Sequence, residues 1–120
     1  MALYLYQASY TSESVAAQIK HPQDRLAYVS TMMQGRGLTL VSGGYSMGEY
    51  DVVSICEADD DETMAAFALA LAAGGAIRAA RTTKLLDGHQ WISALAKAGD
   101  IAGIYKPAPV SYTHLRAHET

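Results

Sequence analysis

The sequence lacks the features that mark several large classes of protein. Its single cysteine, Cys56, excludes an intramolecular disulfide and is typical of a chain kept in a reducing compartment. The longest apolar stretch, residues 64–73, falls well short of the roughly 20 residues that a membrane-spanning helix needs. With a formal net charge of -3 and no basic stripe, the chain is not expected to bind nucleic acid. The first residues form no basic and apolar leader, so we expect no signal peptide and a cytoplasmic protein without a membrane partner.

The composition that remains suits one folded domain. Half of the 120 residues are hydrophobic and only 18% are charged, which is enough for one core and excludes a disordered chain. We expect this domain, ending in a helix, over residues 1–98, and an extended tail over 99–120. Within the tail, residues 110–120 follow Pro107 and Pro109 and resemble a translated cloning adaptor that recurs on unrelated metagenomic reading frames. We therefore expect 110–120 to be non-native.

Hydrophobic patterns in the first third of the chain predict one strand and two helices. Residues 2–10 alternate and are rich in aromatics, which favours a strand. Thr11 is suited to cap a short helix that carries Val15 and Ile19 on one face. Pro22 is expected to open a second helical segment at its first turn. The apolar stripe of that segment comprises Leu26, Val29 and Met33.

The rest of the chain continues the alternation of strands and helices. Strands are predicted over 38–45 and 50–57, and the second is nearly continuously apolar, as a central strand would be. Asp59 and Glu62 have the spacing of a capping pair for a third helix, and a strand over 76–86 precedes a final helix. The apolar positions are Met64, Phe67 and Leu71 in the third helix, and Trp91, Ile92, Leu95 and Ala96 in the final one.

The order of these elements predicts the fold class. The pattern βαββαβ is that of the ferredoxin-like α+β fold, an antiparallel four-stranded sheet with its helices on one face, here with a C-terminal helix added. Neither face of the first and third predicted strands is polar. We therefore expect the face without helices to bury against a second copy, which gives a homodimer of the dimeric α+β barrel type.

The segment Gly48-Glu49-Tyr50-Asp51, placed at a turn before a strand, resembles the motif of the GYD domain family. The resemblance covers about residues 2–86 and includes a proline-led helix at 21–26, an acidic run after Glu57 and a strand that starts at Ile77-Arg78. It implies a ferredoxin-like, dimeric barrel fold. It implies neither a reaction nor catalytic residues, and the part from Asp87 to Pro109 is an extension beyond the family core.

Three polar residues are candidates for catalysis. Asp51 begins a buried strand, where a carboxylate needs partners, so it is a candidate base or substrate anchor, or instead caps its own turn. Arg78 is a candidate clamp for a substrate carboxylate and Arg81 a substrate-binding residue, on the opposite face of the same strand; the alternative is a surface or dimer salt bridge. His21 is a candidate proton shuttle, or an exposed loop residue.

The tyrosines are the most numerous candidates for a ligand pocket. Tyr6, Tyr45 and Tyr50, with Tyr4 and Tyr10, are expected either to line a pocket for a ring-shaped ligand or to form a dimer core. Cys56 is expected to be an inert core thiol, and residues 59–62 are too close together to face one metal ion. No nucleotide-binding, zinc or nucleophile motif is present, so no cofactor and no metal are expected.

Two functions fit these candidates. One is a small-molecule enzyme without a bound cofactor, acting on a small aromatic or cyclic compound as an isomerase, a lyase or a cofactor-free oxygenase. The alternative is a dimer that binds a small metabolite, or regulates through it, without chemistry. A cavity lined by Asp51, His21 or Arg78 would favour the enzyme, whereas one lined only by apolar groups and tyrosines would favour the binding protein.

Overall fold

Four strands and four helices follow one another in the structure, a computed structural model that describes residues 1–109. In chain order they are β1 (Ala2–Tyr10), α1 (Ser12–Lys20), α2 (Arg25–Met32), β2 (Leu38–Tyr45), β3 (Val52–Ala58), α3 (Asp61–Ala73), β4 (Ile77–Leu85) and α4 (Gly88–Ala102). The chain divides into two compact units, Met1–Asp87 and the part from Gly88 onward, which holds α4. The segment 110–120, expected to be non-native, lies outside the described residues.

The four strands form one sheet in the order β2-β3-β1-β4. Each neighbouring pair is antiparallel, with Tyr6 of β1 opposite Ser54 of β3 on one side and Thr82 of β4 on the other. This is the ferredoxin-like α+β arrangement, so the predicted fold class is confirmed. The nearly continuous apolar strand β3 is central, as predicted, because it pairs with both β1 and β2.

The core lies on one face of the sheet, under α2 and α3. Side chains alternate along a strand, so Tyr4, Tyr6 and Ala8 are buried while Leu3, Leu5 and Gln7 are half-buried. Met64 and Phe67 of α3 cover this face, and the Phe67 ring meets the Tyr6 ring edge-on, with 5.6 Å between centroids. The predicted stripe of α2 packs against the same core through Leu26, Val29 and Met33.

The helix starts follow local capping rather than the prolines. Thr11 caps α1 as predicted, since its side chain accepts a hydrogen bond from the backbone N–H of Ser14. The second helix begins at Arg25 and not at Pro22, because Asp24 accepts from the N–H of Ala27. Asp60, rather than the Asp59–Glu62 pair, caps α3 through the N–H of Thr63 at 2.8 Å.

Two helical faces that the sequence marks as apolar are exposed. On α1, Val15 is 40% exposed and Ile19 is 74% exposed. On α4, Trp91, Ile92 and Leu95 are all more than half exposed, and the helix continues past Gly99, where we expected it to fray. Within residues 1–109, no helix has the length and apolar character that a membrane crossing requires.

Candidate functional site

A cavity of about 430 Å³ lies between the sheet and the helices of the Met1–Asp87 unit. Its walls are mostly apolar side chains that α2, β2, α3 and β4 contribute. The principal ones are Leu26, Val29, Leu38, Leu40, Leu71 and Ile77. These residues close the core of the domain only in part, so the space beside them is available to a small molecule.

The sheet contributes a short polar row to this cavity. Tyr6 of β1 and Ser54 and Cys56 of β3 line it, because they occupy alternate positions on the face that the helices cover. The hydroxyl Oγ of Ser54 lies 3.7 Å from the Cys56 sulfur, within reach of a weak hydrogen bond. Uncharged polar atoms therefore form the sheet side of a mostly apolar lining.

Tyr6 is the unusual member of that row. Its side chain is only 4% exposed, and among residues 1–109 its Oη is the one buried side-chain oxygen or nitrogen without a hydrogen-bond partner. Burial raises the pKa of Tyr6, and the neighbouring Tyr10 and Cys56 add to the effect. The phenol is therefore neutral at physiological pH and keeps an O–H available to donate.

Cys56 is neutral for the same reason. Burial raises the pKa of the Cys56 thiol, and the contact with Ser54 opposes this only in part. A protonated, buried thiol is a poor nucleophile. Cys56 therefore serves the cavity as a small apolar surface.

One charged side chain lines the cavity among the described residues, and it is Arg25 at the start of α2. Its Nη1 donates to Oε1 of Gln23 at 3.0 Å, and its guanidinium carbon lies 4.3 Å from the centre of the Tyr28 ring. These two contacts orient the guanidinium. Burial raises the pKa of Tyr10, the nearby Tyr45 adds to this, and Arg25 acts in the opposite direction.

A hydrogen-bonded clamp holds the start of α2 beside the sheet. Tyr45, at the end of β2, donates from its hydroxyl to Oδ1 of Asp24 at 2.5 Å and accepts from the N–H of Leu26 at 3.0 Å. The bond to Tyr45 is the main cause that lowers the pKa of Asp24, while burial, followed by this bond, raises the pKa of Tyr45. The clamp therefore fixes the helix end from which Arg25 projects.

Asp51 is occupied with the backbone of β1. Its Oδ2 accepts a hydrogen bond from the N–H of Tyr10 at 2.9 Å, its own N–H donates to the carbonyl of Ala8, and Ser9 donates to the carbonyl of Glu49. The Gly48–Asp51 turn thus joins the start of β3 to the end of β1. Since Tyr10 lines the cavity, the turn also fixes one of its walls.

Of the nine residues that the sequence singles out for a site, the structure places two in the lining of the cavity, Tyr6 and Tyr10. His21 is exposed at the C-terminal cap of α1, where its N–H donates to the carbonyl of Ala17. Arg78 and Arg81 are exposed on β4. Within the described part of the protein, Asp51, Tyr45 and Tyr50 do not line the cavity.

Sequence reasoning missed two of the residues that characterise the cavity. Arg25 stands four residues before Val29, so a helical wheel places it at the top of the apolar stripe of α2. Ser54 shares the buried parity of β3 with Val52 and Cys56, where a polar side chain is out of pattern. Both signals were readable once the helix start and the covered face were known.

Fold and cavity together define a class: a ferredoxin-like α+β domain with a mostly apolar internal cavity. The sequence model of the GYD domain matches residues 4–95, and the chain therefore belongs to the GYD domain family. The matched range extends into α4, further than the 2–86 that the motifs covered. Searches among curated proteins and among solved structures found no significant match.

Proposed function

We propose that the domain binds a small, largely apolar ring compound in the cavity and does not transform it. The volume of about 430 Å³ lies in the range of roughly 300–1,000 Å³ that is usual for ligand pockets. The observation that carries the proposal is the unpartnered Oη of Tyr6, since a buried hydroxyl without a partner costs about 1–3 kcal/mol. A ligand with a ring hydroxyl or carbonyl supplies the missing partner.

The lining favours binding over catalysis. Among the described residues that surround the cavity there is no carboxylate and no imidazole. Carboxylates and imidazoles are the groups that most often move protons in general acid–base catalysis, and the neutral Cys56 thiol does not replace them. Asp51, His21 and Arg78, the candidates for catalysis, lie outside the lining.

We also propose that the domain forms a homodimer through the second face of its sheet, the face opposite the cavity. By alternation this face carries Leu3 and Leu5 of β1 and Val53 and Ile55 of β3, which are half-buried within the chain. Contiguous apolar side chains of this kind favour association, and a two-fold dimer is the commonest closed assembly.

A defined set of probes tests the binding proposal. The hydroxyphenyl panel consists of 4-hydroxybenzoate, 4-hydroxyphenylacetate and 3-(4-hydroxyphenyl)propanoate, together with the amide of each acid. A panel member present at 100 times its Kd should stabilise the fold by about 2.7 kcal/mol in a thermal-shift assay. Alkylation of Cys56, which lines the cavity and reacts slowly because its thiol is buried and protonated, should become slower still, and mass spectrometry should recover the ligand unchanged.

A matched pair of variants on α1 locates the binding. Ala17 lines the cavity and is exposed at the helix surface, whereas Ala16 is exposed and does not line it. We expect Ala17→Phe to obstruct the cavity and abolish both effects, while Ala16→Phe leaves them intact. Absence of any shift or protection across the panel would contradict the proposal, and turnover of a probe would favour the enzyme.

A further inference from the structure

Arg25 has no ion-pair partner within the described part of the chain. A guanidinium has five N–H donors, of which the contact with Gln23 uses one. The ion pair that residues 1–109 contain joins Lys84 to Asp61, on a different part of the sheet, and no carboxylate lies within ion-pair distance of Arg25. Arg25 therefore presents to the cavity an oriented positive charge without an ion-pair partner among the described residues.

The neighbours of Arg25 form no ion pair with it. Asp24, the adjacent acid, keeps its negative charge, but its carboxylate is held by hydrogen bonds from Tyr45 and from the N–H of Ala27 and does not line the cavity. The other polar residues that α1 and the α1–α2 connection contribute to the lining are Ser14, Gln18 and Gln23, all of them neutral. Arg25 is therefore the one charged side chain that the described residues contribute to the lining, beside neutral polar and apolar groups.

We infer that the ligand is a small monocarboxylic acid whose apolar ring fills the cavity and whose carboxylate pairs with Arg25. The inference rests on the proposed binding function and adds the chemical class of the ligand. A carboxylate matches the planar fork of a guanidinium through two parallel hydrogen bonds. One arginine balances one negative charge, which suits a monocarboxylate better than a phosphate dianion, and it disfavours an ammonium compound.

The acids and amides of the hydroxyphenyl panel test the inference, because each pair differs only in the charge of the head group. With the wild-type protein, we expect at least one acid to bind about tenfold or more tightly than its amide in isothermal titration. The corresponding amine, 3-(4-hydroxyphenyl)propylammonium, should bind more weakly than the amide. The amine needs no variant, so this part of the test does not depend on a mutant that folds.

Variants then assign the preference to Arg25. Arg25→Gln should reduce the affinity for the acid to that for the amide and leave the amide unchanged, while Arg25→Lys should retain part of the preference. The matched control is Arg36→Gln, since Arg36 is exposed, donates to the carbonyl of Met32 and does not line the cavity. It should change neither affinity.

The outcomes separate this inference from the function on which it rests. Equal affinities of acid and amide for the wild-type protein would overturn the inference and leave the binding function standing. A preference for the acid that survives Arg25→Gln would overturn it as well, because another group would then hold the carboxylate. If no panel member binds, the binding function fails and the inference fails with it.

Discussion

Replacing Tyr6 with phenylalanine tests the central feature of the cavity, the buried hydroxyl without a partner. The substitution removes one oxygen atom and keeps the ring, so the edge contact with Phe67 at 5.6 Å is preserved. For a buried tyrosine that donates a hydrogen bond, such a change is destabilising. For Tyr6 we expect the opposite sign, because its Oη has no partner among the described residues.

The magnitude follows from the cost of an unsatisfied buried hydroxyl. That cost is about 1–3 kcal/mol, so Tyr6→Phe should raise the free energy of unfolding of the ligand-free protein by an amount of this order. A gain of 1 kcal/mol corresponds to a rise in Tm of roughly 4–8 °C for a domain of this size. Binding should weaken by at least about 1 kcal/mol, or about fivefold or more in Kd, because the ligand-free variant no longer carries the unsatisfied hydroxyl and its complex lacks the hydrogen bond to the ligand.

Urea denaturation measures the first effect and calorimetric titration the second. Tyr4→Phe is the matched control, because Tyr4 lies two residues away on the same buried face of β1 and its hydroxyl donates to Asp61. Tyr4→Phe should destabilise. If Tyr6→Phe destabilises the ligand-free protein as Tyr4→Phe does, the hydroxyl of Tyr6 has a partner in solution and the argument for a ligand contact is refuted.

A double-mutant cycle isolates the ligand contact itself. The ring hydroxyl of 3-(4-hydroxyphenyl)propanoate should improve affinity over 3-phenylpropanoate in the wild-type protein and give no improvement in Tyr6→Phe. An improvement of the same size in both proteins would place the ring hydroxyl elsewhere.

Three further predictions address the rest of the domain. Asp51→Asn should leave stability nearly unchanged, because the amide oxygen still accepts from the N–H of Tyr10, whereas Asp51→Ala should lower it by about 1 kcal/mol without changing ligand affinity; lost binding in a folded Asn variant would instead make Asp51 functional. Sedimentation of the wild-type protein should give a dimer, and Ile55→Lys should disrupt it. Leu69→Lys is the control and should leave the dimer intact, because Leu69 on α3 is 70% exposed. A wild-type monomer would contradict the proposal. The bond from Tyr4 to Asp61 raises the pKa of Tyr4 from 10.0 to about 12, so its contribution to stability is complete below pH 10 and is lost as the pH rises through 12; a Tyr4→Phe variant with an unchanged alkaline slope would refute this.

The strands could be predicted closely because their signal is local. The alternation in β1 and the glycine-bounded run of β2 gave bounds that the structure reproduces, Ala2–Tyr10 and Leu38–Tyr45. The start of α2 was less predictable, since both Pro22 and Asp24 are suited to begin a helix. Pro22 fits a first helical turn, but a cap that accepts a backbone hydrogen bond stabilises by about 1 kcal/mol, and Asp24 provides it two residues later.

The apolar pair on α1 shows that local pattern does not decide which face of a helix is buried. Val15 and Ile19 are spaced as one face, yet both are exposed in the structure. The part of α1 that lines the cavity consists of Ser14, Ala17 and Gln18. A short amphipathic helix can present either of two faces, and the chain connections decide which one is used.

The candidate site was hard to predict because its members are defined by tertiary position and not by residue type. Charged residues are the usual candidates for a site in a sequence. The carboxylate of Asp51, however, accepts a hydrogen bond from the backbone N–H of Tyr10, and Arg78 and Arg81 are exposed. Arg25 carries the same charge as they do and differs only in lying above the stripe of α2. Without the start of α2, nothing distinguishes it from them.

The GYD motif supports the cavity without lining it. The turn at Gly48–Asp51 ties β3 to β1 through Asp51 and through the bond from Ser9 to the carbonyl of Glu49. These bonds fix the end of β1, and Tyr10 at that end lines the cavity beside Arg25. In this chain the turn therefore holds the end of β1 in place, while α2 contributes the charged member of the lining, Arg25.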